Sequence, residues 1–231
     1  MIKFLAGVAA LPAVALVLYE TGAAFVRIFS VFRQGFPFLG GMAAYTVLHY
    51  LVYRPQKLYV LTHELTHAAA AWSSGFNVRR MRIGKDSGSV VLDGSNAFVA
   101  LAPYCLPLFA AMFAICYAVA GLFYDLTPWT VYFMPGLGFL LAFHLVNTVE
   151  VLCAAGQSDL DAAGGTVFST AVIVLSNCVV LLAAFKFLFP ETVAVRAGAQ
   201  HVAQGTVEFW SRALNAAAEF LGRIYAGAGG R

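Results

Sequence analysis

The stretch LTHELTHAAAAW, residues 61–72, puts two histidines and a glutamate into a run that otherwise reads as membrane helix. Ionisable groups are expensive in hydrocarbon, so His63, Glu64 and His67 need a reason to be there. A helix turns once every 3.6 residues; positions four apart share a face, and His63 and His67 can aim imidazole nitrogens at one ion. Glu64 projects about 100° round the helix from His63, beside such an ion, where it can take a proton from water. Two imidazoles plus a carboxylate suit zinc and leave a fourth position for water. The competing reading is a hydrogen-bonded polar cluster without metal. A metal better explains the location, because it turns two costly side chains into ligands and gives Glu64 a cationic neighbour.

The rest of the chain agrees with a membrane setting. Its 231 residues are 61% hydrophobic and 11% charged, with a mean hydropathy of +0.80. An ordinary soluble domain carries about 25% charged residues. The net charge of +3 is too small for a nucleic-acid partner, and the Lys and Arg residues lie near span ends rather than in one block. Cys105, Cys116, Cys153 and Cys178 lie in or beside apolar stretches with no CxxC pair, so they read as packing residues.

A spanning helix needs about 20 mostly apolar residues. Runs at 4–29, 35–53, 58–72, 94–124, 126–149 and 162–185 predict an all-α polytopic membrane protein of about six transmembrane helices. The third run is short for a span, as befits a helix surrounded by neighbours rather than lipid. The fourth is broken by Pro103 and Pro107. The first reads as an uncleaved helix rather than a signal peptide, since its leading region holds one lysine and apolar residues resume after Gly22–Ala24.

Between the third and fourth runs, Met81 and Ile83 alternate with Arg80 and Arg82. Gly84-Lys85-Asp86-Ser87-Gly88 then supplies turn chemistry before Val90–Leu92. This predicts a small β-hairpin at the membrane surface, a connector or a docking edge for substrate. From about Thr192 to Tyr225, Val202, Phe209, Trp210, Leu214, Phe220, Leu221 and Ile224 recur at helical spacing opposite Glu208, Arg212, Glu219 and Arg223. That is an amphipathic helix, lying on the membrane or docked on the bundle. The chain divides into a membrane-embedded domain, 1–190, and an amphipathic tail, 191–231. Short-loop charges favour a cytoplasmic hairpin, and the tail's arginines argue the other way.

Two histidines leave a zinc site incomplete. The acidic candidates for a third ligand are Asp86, Asp93, Asp125, Glu150, Asp159 and Asp161. Asp159 and Asp161 lie in GQSDLDAAGG, residues 156–165, where the sixth run begins.

HELTHA at 63–68, an Arg-rich hairpin, ALAPYCLP at 100–107, and FHLVNT at 143–148 followed by GQSDLDAAGG together resemble a site-2-protease-type intramembrane zinc metalloprotease of the compact bacterial branch. The resemblance covers about residues 45–185, with HExxH its specific element. It implies a membrane-embedded Zn2+, a glutamate base and an aspartate third ligand from a later helix. The chain departs from the family's usual Leu-Asp-Gly aspartate motif. Its only Leu-Asp-Gly, Leu92-Asp93-Gly94, ends the hairpin and reads as a decoy, and Thr66 stands where glycine is common. Of the later aspartates, Asp159 is preferred to Asp161, since residues two apart point about 200° away from each other and cannot both face inward. An inward Asp159 is followed by Ala162, Ala163 and Thr166 on one face, with Ser158 as a helix cap.

His144 and Asn147, one turn apart, are candidates for binding substrate or the developing oxyanion; the alternative is interhelical polar glue. His49 reads as glue and His201 as a solvated tail residue. The expected activity is zinc-dependent cleavage of a transmembrane or juxtamembrane segment of a membrane-protein substrate, in a multi-pass protein of the bacterial inner membrane. The alternative is a non-proteolytic scaffold or chaperone with a structural zinc.

Overall fold

The computed structural model describes residues 1–30, 32–85, 87–154, 156–191 and 193–228. Asp86 of the hairpin turn, Thr192 at the start of the tail, and the tail residues 229–231 lie outside them.

The chain opens with helices α1 (Ile2–Ser30) and α2 (Phe32–Val47), the latter ending in a π-helical turn, Leu48–Val52. Pro55 interrupts the chain before α3 (Gln56–Ser73), which carries the His-Glu motif. Strands β1 (Val78–Ile83) and β2 (Gly88–Leu92) form the expected hairpin, with Met81 opposite Val90 and Ile83 opposite Gly88. Then come α4 (Ala97–Cys105) and α5 (Leu108–Ala120), bent 71° from each other. Pro107 explains the bend: a residue before proline is pushed from helical to extended backbone, and Leu106 sits at φ −113°, ψ 111°. A 3-10 turn (Thr127–Trp129) leads into α6 (Thr130–Cys153), followed by short α7 (Ser158–Ala163), α8 (Thr166–Leu188) and α9 (Val195–Ala228).

Among the described residues, four helices are long and apolar enough to cross a membrane: Ile2–Ser30, Gly35–Val52, Thr127–Cys153 and Thr166–Leu188. Counting the bent α4–α5 pair as one span gives up to five, which fits a multi-pass membrane protein. The expected count of six is not reached. The run at 58–72 lies on α3, where Gln56, Lys57, His63, Glu64 and His67 dilute the apolar residues below what a lipid-facing span needs.

Close backbone approaches hold the bundle together. A side chain on Gly41 would run into Pro135 O, and one on Gly138 into Phe38 O, so α2 and α6 meet through small residues. Helix α1 runs parallel to α8, with Gly7 against the Phe168 backbone at one end and Phe25 against Phe185 at the other. Ile28, Phe38, Phe133, Leu137 and Phe185 fill the core among these four helices. A second core, including Leu101, Tyr104, Leu160 and Ile173, binds α7 to α4 and α8.

The start of the last apolar run differs from expectation. Asp159 does not begin the long helix; it lies on α7, which stops at Gly164 (φ 142°) and Gly165 (φ 93°). Both glycines occupy backbone conformations that side chains resist. Thr166 therefore belongs to a different helix from Asp159, and Ala162 is exposed while Ala163 is buried. Gln157 stands at the N-cap without a side-chain cap bond, so Ser158 does not cap.

The tail helix docks on the bundle over its first half. α9 runs antiparallel to α1: His201 Nδ1 is 2.7 Å from Glu20 Oε1, and Trp210 Nε1 donates to Ala9 O at 3.0 Å. His201 is thus half-exposed but hydrogen-bonded to Glu20, not simply solvated. Farther on, Leu214, Phe220 and Leu221 are exposed.

Candidate metal centre

His63 and His67 lie on one face of α3, and α7 brings Asp159 against them. His63 Nε2 and His67 Nε2 are 3.1 Å apart. Asp159 Oδ2 lies 3.4 Å from the first and 3.5 Å from the second. Among the described residues this is the one group of three His, Cys, Asp or Glu side chains converging as a metal site would require.

Hydrogen-bond chemistry shows what such a cluster needs. His67 Nδ1 is 2.8 Å from Val99 O. A carbonyl only accepts, so Nδ1 carries the proton and the neutral ring offers a lone pair at Nε2. Asp159 Oδ2 accepts from the Tyr104 hydroxyl at 2.8 Å. A lone-pair nitrogen and a carboxylate oxygen therefore converge with a second imidazole, and a proton or a cation must sit among them. A tetrahedral zinc with bonds of about 2.0–2.1 Å holds its ligand atoms about 3.3 Å apart. The observed triangle matches that spacing, so the residues fit the metal.

The framework behind this cluster comes largely from α4. Asn96 caps this helix by accepting from Val99 N at 2.9 Å, fixing the peptide unit whose next carbonyl takes the His67 proton. Tyr59, one turn before His63, has its hydroxyl 3.5 Å from His63 Nδ1.

Glu64 is 7% exposed, turned from the ligand face towards the hairpin. A Cβ built on Gly88 would lie 2.7 Å from Glu64 Cγ and Oε1 and 2.7 Å from Val60 Cγ1. The first residue of β2 therefore forms a wall against the glutamate, and only glycine leaves room for it.

The other described acidic candidates stand apart from this cluster. Asp161 is exposed on the far side of α7. Asp93 accepts from Asn77 N at 2.7 Å and Asn77 Nδ2 at 2.9 Å, closing the base of the hairpin. The Asn77 backbone N–H first, and its side-chain amide next, hold the Asp93 carboxyl below the usual range. Asp125 accepts from Thr127 N at the 3-10 turn. Glu150 pairs with His49 Nε2 at 3.1 Å and Arg54 at 3.6 Å.

His144 and Asn147 are buried on α6. His144 Nε2 lies 3.0 Å from Asn177 Oδ1 on α8. It also lines, with His63, Thr62 and Thr66, a cavity of about 20 Å³, room for one water. Asn147 Nδ2 donates to Tyr45 OH at 3.0 Å and to Phe143 O. Both amide hydrogens are thereby spent, and the residue ties α6 to α2. His49 Nδ1, 2.9 Å from Tyr45 OH, extends that tie. Sequence reasoning missed Tyr104, Tyr45 and Asn177. The signal for Tyr104 was a lone hydroxyl in the apolar stretch ALAPYCLP, which needs a buried partner.

No curated protein and no solved structure matches the chain. A family model, peptidase M50B-like, matches residues 39–156. The match takes in α3, the hairpin, α4, α5 and α6, and it ends just short of Asp159. Site-2 proteases make up that family, which points to a protease. Over half the chain, with the His-Glu motif inside the matched span, the sequence belongs to the peptidase M50B-like family.

Proposed function

We propose that the protein is an intramembrane zinc metalloendopeptidase that cleaves a transmembrane or juxtamembrane segment of a membrane protein. The observation that carries this reading is the triangle of 3.1, 3.4 and 3.5 Å among His63, His67 and Asp159, with Glu64 one residue from the first ligand. His63 Nε2, His67 Nε2 and Asp159 Oδ2 would hold the metal. When bound, zinc supplies Lewis acidity, acidifying water and polarising a carbonyl oxygen.

The chain's own groups do the rest. Val99 O keeps the His67 proton on Nδ1 and so leaves Nε2 free. Glu64 accepts a proton from the attacking water and returns it to the leaving amine. Its burial beneath Gly88 keeps that carboxylate out of bulk solvent. His144, beside His63 in the small cavity, is the better placed substrate or oxyanion contact; Asn147 has first to release Tyr45. A substrate helix must unwind locally, because an intact helix buries its carbonyls in hydrogen bonds.

In this reading residues 1–190 form the membrane-embedded protease domain, with α3 and the α4–α5 pair completing six embedded segments. Residues 191–231 form the appended amphipathic helix, and the setting is the bacterial inner membrane. The test compares the membrane proteomes of a wild-type strain and a Glu64→Gln strain. A protease accumulates at least one intact membrane protein in the variant. Indistinguishable proteomes and phenotypes favour a scaffold with structural zinc.

A further inference from the structure

Tyr104, near the end of α4, is 2% exposed and held at three points by three different helices. Its backbone carbonyl accepts from Asn177 Nδ2 of α8 at 2.8 Å. Its ring meets the His63 imidazole of α3 edge-on, with centroids 5.2 Å apart and planes at 72°. Its hydroxyl donates to Asp159 Oδ2 of α7 at 2.8 Å. The hydroxyl reaches the very oxygen that faces both histidine nitrogens. Asp159 itself stands on a six-residue helix ended by two glycines, so its own element gives it little stiffness.

Resting on the metal-site reading above, we infer that Tyr104 is a positioning residue for Asp159. Its O–H occupies one lone pair of Oδ2, fixes the carboxylate's rotation, and turns the remaining lone pair towards the histidines. Helix α4 then orients two of the three ligands from behind, Asp159 through the Tyr104 hydroxyl and His67 through Val99 O, five residues earlier. Such outer partners typically change metal affinity 10- to 100-fold when removed. The ring of phenylalanine preserves the packing on His63 while deleting only the donor.

The test uses full-length protein in detergent, with wild type, Tyr104→Phe and His63→Ala compared by chelator competition for zinc and by the visible spectrum of bound Co2+. Tyr104→Phe is expected to weaken zinc binding 10- to 100-fold and to alter the cobalt bands, with the melting temperature of the metal-free protein unchanged. In an Asp159→Asn background the same substitution is expected to add nothing, because it acts through that carboxylate. Zinc affinity within twofold of wild type, or an effect that persists undiminished beside Asp159→Asn, overturns the inference alone. If wild type binds no more zinc than His63→Ala, the metal-site reading fails and takes the inference with it.

Discussion

Gly88→Ala is the sharpest probe of how the hairpin serves the site. The added methyl would meet Glu64 Cγ, Glu64 Oε1 and Val60 Cγ1, each at 2.7 Å. Ordinary carbon contacts begin at about 3.5 Å, so something must retreat by about 0.8 Å. The hairpin resists: Asp93 and Asn77 clamp its base, and Phe76 and Leu92 pack against the α3–α4 core. Val60 is fixed in the wall of α3, 5% exposed. The Glu64 side chain, with three rotatable bonds, is the softest of the three. A displacement near 1 Å in a catalytic group lowers turnover about 100-fold, equivalent to about 2.7 kcal/mol in the barrier. His63, His67 and Asp159 are untouched, so zinc content is expected to stay at the wild-type value. The assay is cleavage of a protein that accumulates in the Glu64→Gln strain, with zinc measured on the same preparation. A rate within twofold of wild type would show that the hairpin does not set the position of Glu64, and zinc loss in step with activity would show that the substitution reaches the metal site instead.

Other expectations follow from the same geometry. Asp159→Ala is expected to lower zinc occupancy and cleavage together, whereas Asp161→Ala and Asp93→Ala leave zinc in place; elemental analysis after chelator-free purification decides. Lys3 Nζ donates to Ala163 O at 2.7 Å, tethering the C-terminal end of α7 to the start of α1. Lys3→Ala is expected to speed zinc release to a chelator several-fold, since it loosens the short helix that carries Asp159. Asp93 has a lowered carboxyl pKa, so its stabilisation of the hairpin is present above its unfolded value of about 3.9 and is lost as pH falls through the folded one. Amide protection at Asn77 and Val91, measured against the intrinsic exchange rate at each pH, should therefore fall at acid pH, and Asp93→Asn should remove most of that dependence.

What was legible in the sequence depended on how local its cause was. The His63–His67 pair could be read because the helical period alone puts both on one face. The hairpin could be read from Met81, Ile83 and the turn glycines, and the break in the fourth run from Pro107; Pro103, also expected to break it, lies inside α4. The angle of that break could not be read, because packing sets it. Comparing helix faces separates Asp159 from Asp161, because two residues turn the helix about 200°. The Gly164-Gly165 pair ends α7 before Thr166, and AAGG carries that stop signal in the sequence. The run at 58–72 is short and carries Gln56, Lys57, His63, Glu64 and His67 on its helix, so apolar length alone does not decide whether α3 crosses the membrane. Tyr104 to Asp159, Gly88 to Glu64 and Lys3 to Ala163 join residues far apart in the chain, where periodicity carries no information.

A zinc site worked by a glutamate separates metal binding from catalysis, and one paired measurement reads both. Wild type and Glu64→Gln are purified without chelators and assayed for zinc per chain and for cleavage. About one zinc in both proteins, with cleavage only in the wild type, is the expected result, because Glu64 is not part of the converging His63, His67 and Asp159 cluster. Metal-free wild-type protein, or a Glu64→Gln variant that still cleaves, would contradict it.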